Sequence, residues 1–161
     1  MANAPVMNAS PLILMARAGV FDLLRVLGDR VLVPRAVAEE VQRRGPDDPT
    51  VQAMDRSTWL AVVEAPPIPV SIATWNLGAG ESAVLAWALA HPGTEIVCDD
   101  LAARRCAETL GIAACGTLSV VLRAKKHGLI GQARPVLERL IGAGMYLSRK
   151  VLDQALALVG E

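Results

Sequence analysis

Two adjacent aspartates, Asp99 and Asp100, are the residues of this chain best placed to do chemistry. They close the short apolar run Glu95-Ile96-Val97-Cys98 and lead directly into Leu101-Ala102-Ala103-Arg104-Arg105. In an open α/β sheet a ligand sits outside the carboxyl ends of the strands, so this pair stands where a metal or substrate would be held. One aspartate between a strand and a helix is an ordinary N-cap. Capping leaves the second without a role, and neighbouring carboxylates repel unless a cation or a shared proton relieves them.

Three more oxygen donors could share that rim. At 100° per residue Glu40 falls beside Ala36, Val37 and Val41, whereas Glu39 points away from Val37, so Glu40 leans toward the covered face of its helix. A carboxylate there is compensated by a cation, or by letting its head reach water. Glu81 opens a helix with the apolar stripe Val84, Leu85, Ala88 and Leu89 and lies on that stripe itself. A first-turn acid also complements the helix dipole, which is a second use for it. Asn8 follows the apolar start Val6-Met7 and reaches the same rim if the sheet is parallel. Its amide oxygen ligates without charge. Asn8, Glu40, Glu81, Asp99 and Asp100 together would form a site rich in oxygen and poor in His and Cys, which selects Mg²⁺ or Mn²⁺ over zinc. An ion held by a few carboxylates with open positions activates water for in-line attack on phosphate.

The elements that would position these residues alternate. Strands are expected at Val31–Val33, Trp59–Val63, Glu95–Cys98 and Ile112–Cys115, beside the short start at Val6-Met7. Helices are expected from Ser10-Pro11 through Ala18, over Phe21–Leu27, from Pro34 to Arg44, after Asp48-Pro49, and at Glu81–Ala90, Leu101–Leu110 and Thr117–His127. Ser10 is read as the cap of the first, and Pro66, Pro67 and Pro69 as a loop. Two further helices, roughly Gln132–Ile141 and Arg149–Val159, finish the chain, the second capped by Ser148. Alternation of this kind implies a mainly parallel sheet with helices on both faces. The expected architecture is a single α/β domain over residues 1–161, a three-layer α/β/α sandwich on which the helices from about 132 pack.

A length of 161 residues with 53% hydrophobic and 20% charged content suits one well-filled core. The apolar runs are shorter than a membrane span requires, about 18 residues, and no basic region precedes an apolar segment at the amino terminus. A cytoplasmic protein with no membrane association is expected. Cys98, Cys106 and Cys115 lie among apolar neighbours with no C-x-x-C spacing, and read as buried small hydrophobes. Net charge is zero, yet residues 1–100 hold seven Lys/Arg against twelve Asp/Glu and residues 101–161 hold nine against four. An acidic part that gathers metal beside a basic part that gathers phosphate suits a nucleic-acid enzyme, and two ordinary solvated faces would give the same count. Arg104 and Arg105 follow the aspartates as one basic patch. Arg123, Lys125, Lys126 and His127 form another, which complementarity to a helix end also explains.

Gly78-Ala79-Gly80-Glu81-Ser82-Ala83 offers a rival reading, because it fits G-x-G-x-x-A with the aspartates about 20 residues on, as a dinucleotide fingerprint requires. Thr74-Trp75-Asn76 does not continue an apolar strand before it, and Glu81 would put negative charge where pyrophosphate meets the helix. A dinucleotide-binding enzyme using Gly78 and Gly80 is therefore a minor alternative.

From about Val6 to Gly160 the chain resembles the PIN-like domain proteins, in the branch related to VapC-type toxins. The resemblance is carried by Asn8-Ala9-Ser10-Pro11-Leu12-Ile13, by Val33-Pro34 through Val37-x-Glu39-Glu40-Val41, and by Gly78-x-Gly80-Glu81. It continues through Asp99-Asp100-x-Ala102-Ala103-Arg104 and Gly116-Thr117-Leu118 to Ala124-Lys125-x-x-Gly128-Leu129-Ile130. It implies an α/β/α sandwich and an Mg²⁺- or Mn²⁺-dependent endoribonuclease, the toxin of a toxin-antitoxin pair, restrained by a small antitoxin protein. The carried-over metal ligands are Glu40, Glu81 and Asp100, with Asp99 beside them and Asn8 at the place of the first-strand acid. Ser10, Arg104 and Arg105 would face the RNA, and a homodimer is compatible with the resemblance. Asn8 removes a charge from that nucleus, so a catalytically silent binding or regulatory protein is the alternative.

Overall fold

The computed structural model describes residues 3–161. Five strands form one sheet in the order β3-β2-β1-β4-β5, every neighbouring pair parallel: β1 Val6–Met7, β2 Val31–Pro34, β3 Leu60–Val63, β4 Ile96–Val97 and β5 Ala114–Cys115. Short β-branched runs buried on both faces make such strands. In register, Val6 lies opposite Leu32 on one side and Ile96 on the other.

The strand order creates the functional crevice. From β1 the chain moves outward to β2 and β3, then returns across β1 to lay down β4 and β5. The reversal leaves the carboxyl ends of β1 and β4 as adjacent lips of one opening, the switch point where open α/β sheets bind ligands. Asn8 leaves one lip. Cys98, Asp99 and Asp100 leave the other.

The helices are α1 Ala9–Arg17, α2 Arg35–Gln42, α3 Pro49–Arg56, α4 Val70–Ala73, α5 Ala79–Ala90, α6 Leu101–Thr109, α7 Thr117–Lys126, α8 Arg134–Gly142 and α9 Arg149–Leu158. They flank the sheet as an α/β/α sandwich. Two sequence expectations are corrected. Helix α1 begins at Ala9, so Asn8 and not Ser10 is its cap residue, and the Asn8 side chain makes no cap bond. Phe21–Leu27 is a 3₁₀ helix. Pro66, Pro67 and Pro69 lie in loop as expected, and the one-turn α4, which the sequence reading lacks, follows them with Ile72 fully buried. Proline at the position before a helix has no N–H to leave orphaned, which favours a helical start there.

Met7, Leu12, Met15, Leu24, Leu85, Ile96, Leu137 and Leu140 are fully buried and join the layers in one core. The three cysteines are buried there as free thiols, as expected, and burial pushes Cys98 up to about 11 and Cys115 up to about 12. Among the described residues no helix is long and apolar enough to cross a membrane.

The last helices are tied back by charge. Arg123 of α7 donates two bonds to Glu95, at 2.8 and 2.7 Å, and Lys125 donates to the Gly131 carbonyl at 2.5 Å. Arg123 and Lys125 of the second basic patch therefore serve structure. Glu161 accepts from the backbone N–H of Ala133 at 2.6 Å and of Arg134 at 3.1 Å, at the start of α8. Those bonds, the Ala133 one foremost, hold its carboxyl below the usual range. A depressed folded value adds stability above the unfolded pKa, about 4.3. That stability disappears as pH falls through the folded value. Wild type should therefore melt above Glu161→Gln at neutral pH, with the gap closing below about pH 4. Thermal melts of both proteins across pH check this, and a gap independent of pH would contradict it.

Candidate functional site

Asn8 is the centre of the crevice. Its backbone N–H donates to the Val97 carbonyl at 3.0 Å, which continues the β1–β4 ladder, and its side chain is buried at 1% exposure. The amide nitrogen donates to Glu81 Oε1 at 3.1 Å and approaches Cys98 Sγ at 3.5 Å. Its amide oxygen is buried with no hydrogen-bond partner among the described residues. An orphaned acceptor of this kind costs about 1–3 kcal/mol unless something occupies its lone pairs.

Glycine at position 80 brings α5 into this arrangement. A Cβ there would stand 3.1 Å from Asn8 Oδ1, 3.1 Å from Glu40 Oε2 and 3.3 Å from Val37 Cγ2. The orphaned oxygen and the Glu40 carboxylate thus converge on one point over the bare backbone of Gly80. Glu40 is an exposed residue, and its carboxylate turns to the rim.

Glu81 curls back over the start of its own helix, so that Oε2 lies 2.5 Å from where a Gly78 side chain would begin. The amino end of α5 and the Asn8 amide hold it there. Glu40, Glu81, Gly78 and Gly80 border a cavity of about 280 Å³, with Glu39 and Arg43 on its outer side. Trp75-Asn76-Leu77, before this turn, is not a strand, and Glu81 occupies the space a pyrophosphate would need, so the dinucleotide fingerprint lacks its structural context.

The aspartates part company. Asp100 Oδ2 accepts from Ala103 N–H at 2.8 Å and caps α6. Asp99 reaches 18 residues along the chain to the start of α7, where Oδ1 accepts from Thr117 N–H at 2.8 Å and Oδ2 from Thr117 Oγ1 at 2.6 Å. Each carboxylate has donors of its own at a separate helix start, so their adjacency does not by itself demand a cation. Of the two, Asp100 is the cap of its own helix.

The structure thus brings Asn8, Glu40 and Glu81 together and gives Asp99 and Asp100 to neighbouring helix starts. Among the described residues no three His, Cys, Asp or Glu side chains form a ready-made metal cluster. Ser10 is exposed on the first turn of α1, next to Asn8 in sequence. Arg104 and Arg105 are exposed on α6, and neither takes part in an ion pair among the described residues. Arg104 Nη1 lies 3.4 Å from the Cβ position of Gly116, and Asp99 Oδ1 lies 2.7 Å from it. Sequence reasoning assigned no role to Thr117 or Cys98. The Gly116-Thr117 step before a helix was the available signal, but a bond spanning 18 residues leaves no local pattern.

A five-stranded parallel sheet in this order, flanked by helices and with oxygen donors gathered at its switch point, defines an α/β/α sandwich of the PIN-like kind. The DUF3368 family, described as a PIN domain, matches residues 4–161, and the chain belongs to that family. No protein of curated function matches the chain. PIN domains are nuclease-type and generally use divalent metal ions. The residues present fit such an ion, because the unsatisfied oxygen of Asn8 and the Glu40 and Glu81 carboxylates are hard donors around one point.

Thr117 is fully buried and its hydroxyl donates to a carboxylate. Thr117→Val, which keeps the shape and deletes that bond, should destabilise the fold by about 2 kcal/mol. Urea unfolding measures this; a change below about 0.5 kcal/mol would show the bond to be dispensable.

Proposed function

We propose that the protein is a metal-dependent endoribonuclease, the toxin of a toxin-antitoxin pair, acting on RNA phosphodiesters with Mg²⁺ or Mn²⁺. The observation that carries this reading is the buried, partnerless Asn8 Oδ1 beside Glu40 Oε2 over Gly80. Both are hard oxygen donors, and Mg²⁺ binds through few protein ligands while keeping several waters. Glu40, Glu81 and Asp100 are the proposed carboxylate ligands, and Asn8 adds a neutral oxygen. When bound, the ion supplies an activated water and neutralises charge on the phosphate.

The chain's own residues have definite tasks. Asn8, by donating to Glu81, fixes which way that carboxylate faces. Asp99, engaged with Thr117, holds the start of α7 against the β4 lip and so assists the site from behind. Asp100 uses only Oδ2 in its cap, and its second oxygen is the one offered to the ion. Arg104 and Arg105, lacking internal partners, are placed to neutralise RNA phosphates, and Ser10 offers a hydroxyl at the same rim. The toxin role, the antitoxin partner and a homodimer rest on the order and spacing of the motifs shared with VapC-type proteins.

A catalytically silent PIN-like binding or regulatory protein is the second reading, favoured by the neutral Asn8 and by the lack of a three-carboxylate cluster. Cleavage of single-stranded RNA with Mn²⁺ and calorimetry of Mn²⁺ binding separate the two. Glu40→Gln and Glu81→Gln should each lower cleavage by more than about tenfold. Asn caps helices as well as Asp does, so Asp100→Asn removes charge and keeps the cap. It should lower activity with no change in melting temperature, and unaltered activity would remove Asp100 from the site. No divalent binding at millimolar ion, restored by Asn8→Asp, would establish the silent reading.

A further inference from the structure

A cavity of about 740 Å³ lies away from the acids. It is enclosed by the end of α1, the 3₁₀ helix, α3, the lead into β3, and α8. Asn8 precedes α1 and Gly19 follows it closely, so the nine residues of α1 set the two sites roughly 13 Å apart along that axis. Trp59 stands just before β3, at the amino edge of the sheet, whereas the acids crown the carboxyl edge.

Its chemistry is opposite to that of the acidic rim. Arg25, Arg56 and Arg139 line it, with Asp22 the one acid. None of the three arginines forms an ion pair among the described residues. The floor is apolar: Phe21 and Trp59 are each 8% exposed, with ring centroids 5.7 Å apart. Arg139 has a built seat on the wall. Gly19 takes φ +71°, and Arg139 Nη2 lies 2.8 Å from where its Cβ would be, so bare backbone makes room for the guanidinium.

Each arginine occupies the last turn of its helix, where it complements the negative end of the dipole. That accounts for each residue singly. It does not account for three helix ends converging on one hollow with a recessed aromatic floor. Guanidinium forks match phosphate oxygens bidentately, and the volume falls inside the range of small-molecule sites, about 300–1,000 Å³. Walls on several sides suit a compact occupant better than an extended peptide.

We propose that this cavity is a second ligand site that binds a nucleotide, its phosphate on the arginines and its base over the Phe21–Trp59 floor. The nucleotide is either free or the phosphorylated end of an RNA strand, and both present the same chemistry.

The test uses adenosine monophosphate and the whole chain, with a chelator present so that the acidic rim holds no ion. Calorimetry should detect binding, and the Trp59 indole N–H resonance should shift with it. Arg56→Gln and Arg139→Gln should each weaken binding by about tenfold or more while melting like wild type. Competition by a terminally phosphorylated oligoribonucleotide, but not by its dephosphorylated form, would identify an RNA end as the source; no competition would identify the free nucleotide. The proposal is overturned by absence of binding at millimolar nucleotide, or by variants that bind like wild type. Inorganic phosphate binding as tightly as the nucleotide, or polyglutamate binding where the nucleotide does not, would also overturn it. Because no readout involves cleavage, failure here leaves the nuclease reading standing.

Discussion

The approach of α5 to the end of β1 is the constraint on which the acidic site depends. Gly80 admits it. With any larger residue a methyl group or more would press on Asn8 Oδ1, Glu40 Oε2 and Val37 together. Real Cβ contacts seldom come that close, so the helix or the side chains would have to yield. The glycine is not needed for an unusual backbone angle, since residue 80 lies within α5 and has no positive φ. What it provides is proximity: one helix start, one strand end and the carboxylate of α2 meet without an intervening side chain. The Gly-x-Gly pattern that resembles a phosphate cradle here draws oxygen donors together instead.

Helix starts are the second organising device. Three carboxylates of the region lie at three of them: Glu81 over α5, Asp100 at α6 and Asp99 at α7. Each helix end presents unpaired N–H groups and partial positive charge, which orients an acid without a counterion. This reconciles a crowded acidic rim with a stable fold. Only the Asn8 oxygen, among the buried side-chain atoms of the rim, is left without a donor.

Much of this was legible in the sequence, and the limits have physical causes. β-branched runs, proline-marked starts and alternating elements gave the parallel sheet, because those signals are local. The places of Glu81 in the first turn of α5 and of Asp100 just after β4 were legible because strand-end and first-turn positions are read from spacing. Helical angle alone turns Glu40 inward, but an angle locates the Cβ and says little about a long, flexible side chain, and the residue is exposed while its carboxylate reaches the rim. The partner of Asp99 was not legible, since the bond to Thr117 closes only when β4 and β5 are adjacent in the sheet. The arginine-lined cavity was missed for the same reason. Arg25, Arg56 and Arg139 come from three helices far apart in the chain, and each looks locally like a routine helix-end cation.

The identity of residue 8 then has a physical logic. An aspartate there would set a third carboxylate beside Glu81 and Glu40, with no donor to offer either. At 3.1 Å, two carboxylate oxygens repel strongly in a buried setting, and such a site would hold together only by taking up a cation or a shared proton. Asparagine replaces that repulsion with a hydrogen bond to Glu81, so the rim is satisfied on one side before any ion arrives. The other side keeps an oxygen whose lone pairs are unfilled. The exchange lowers the charge that attracts a cation and raises the stability of the cation-free protein. In the proposed nuclease an ion would meet a rim already satisfied on its Glu81 side, and ion affinity should depend on Glu40 and Glu81 more than on the residue at the end of the first strand.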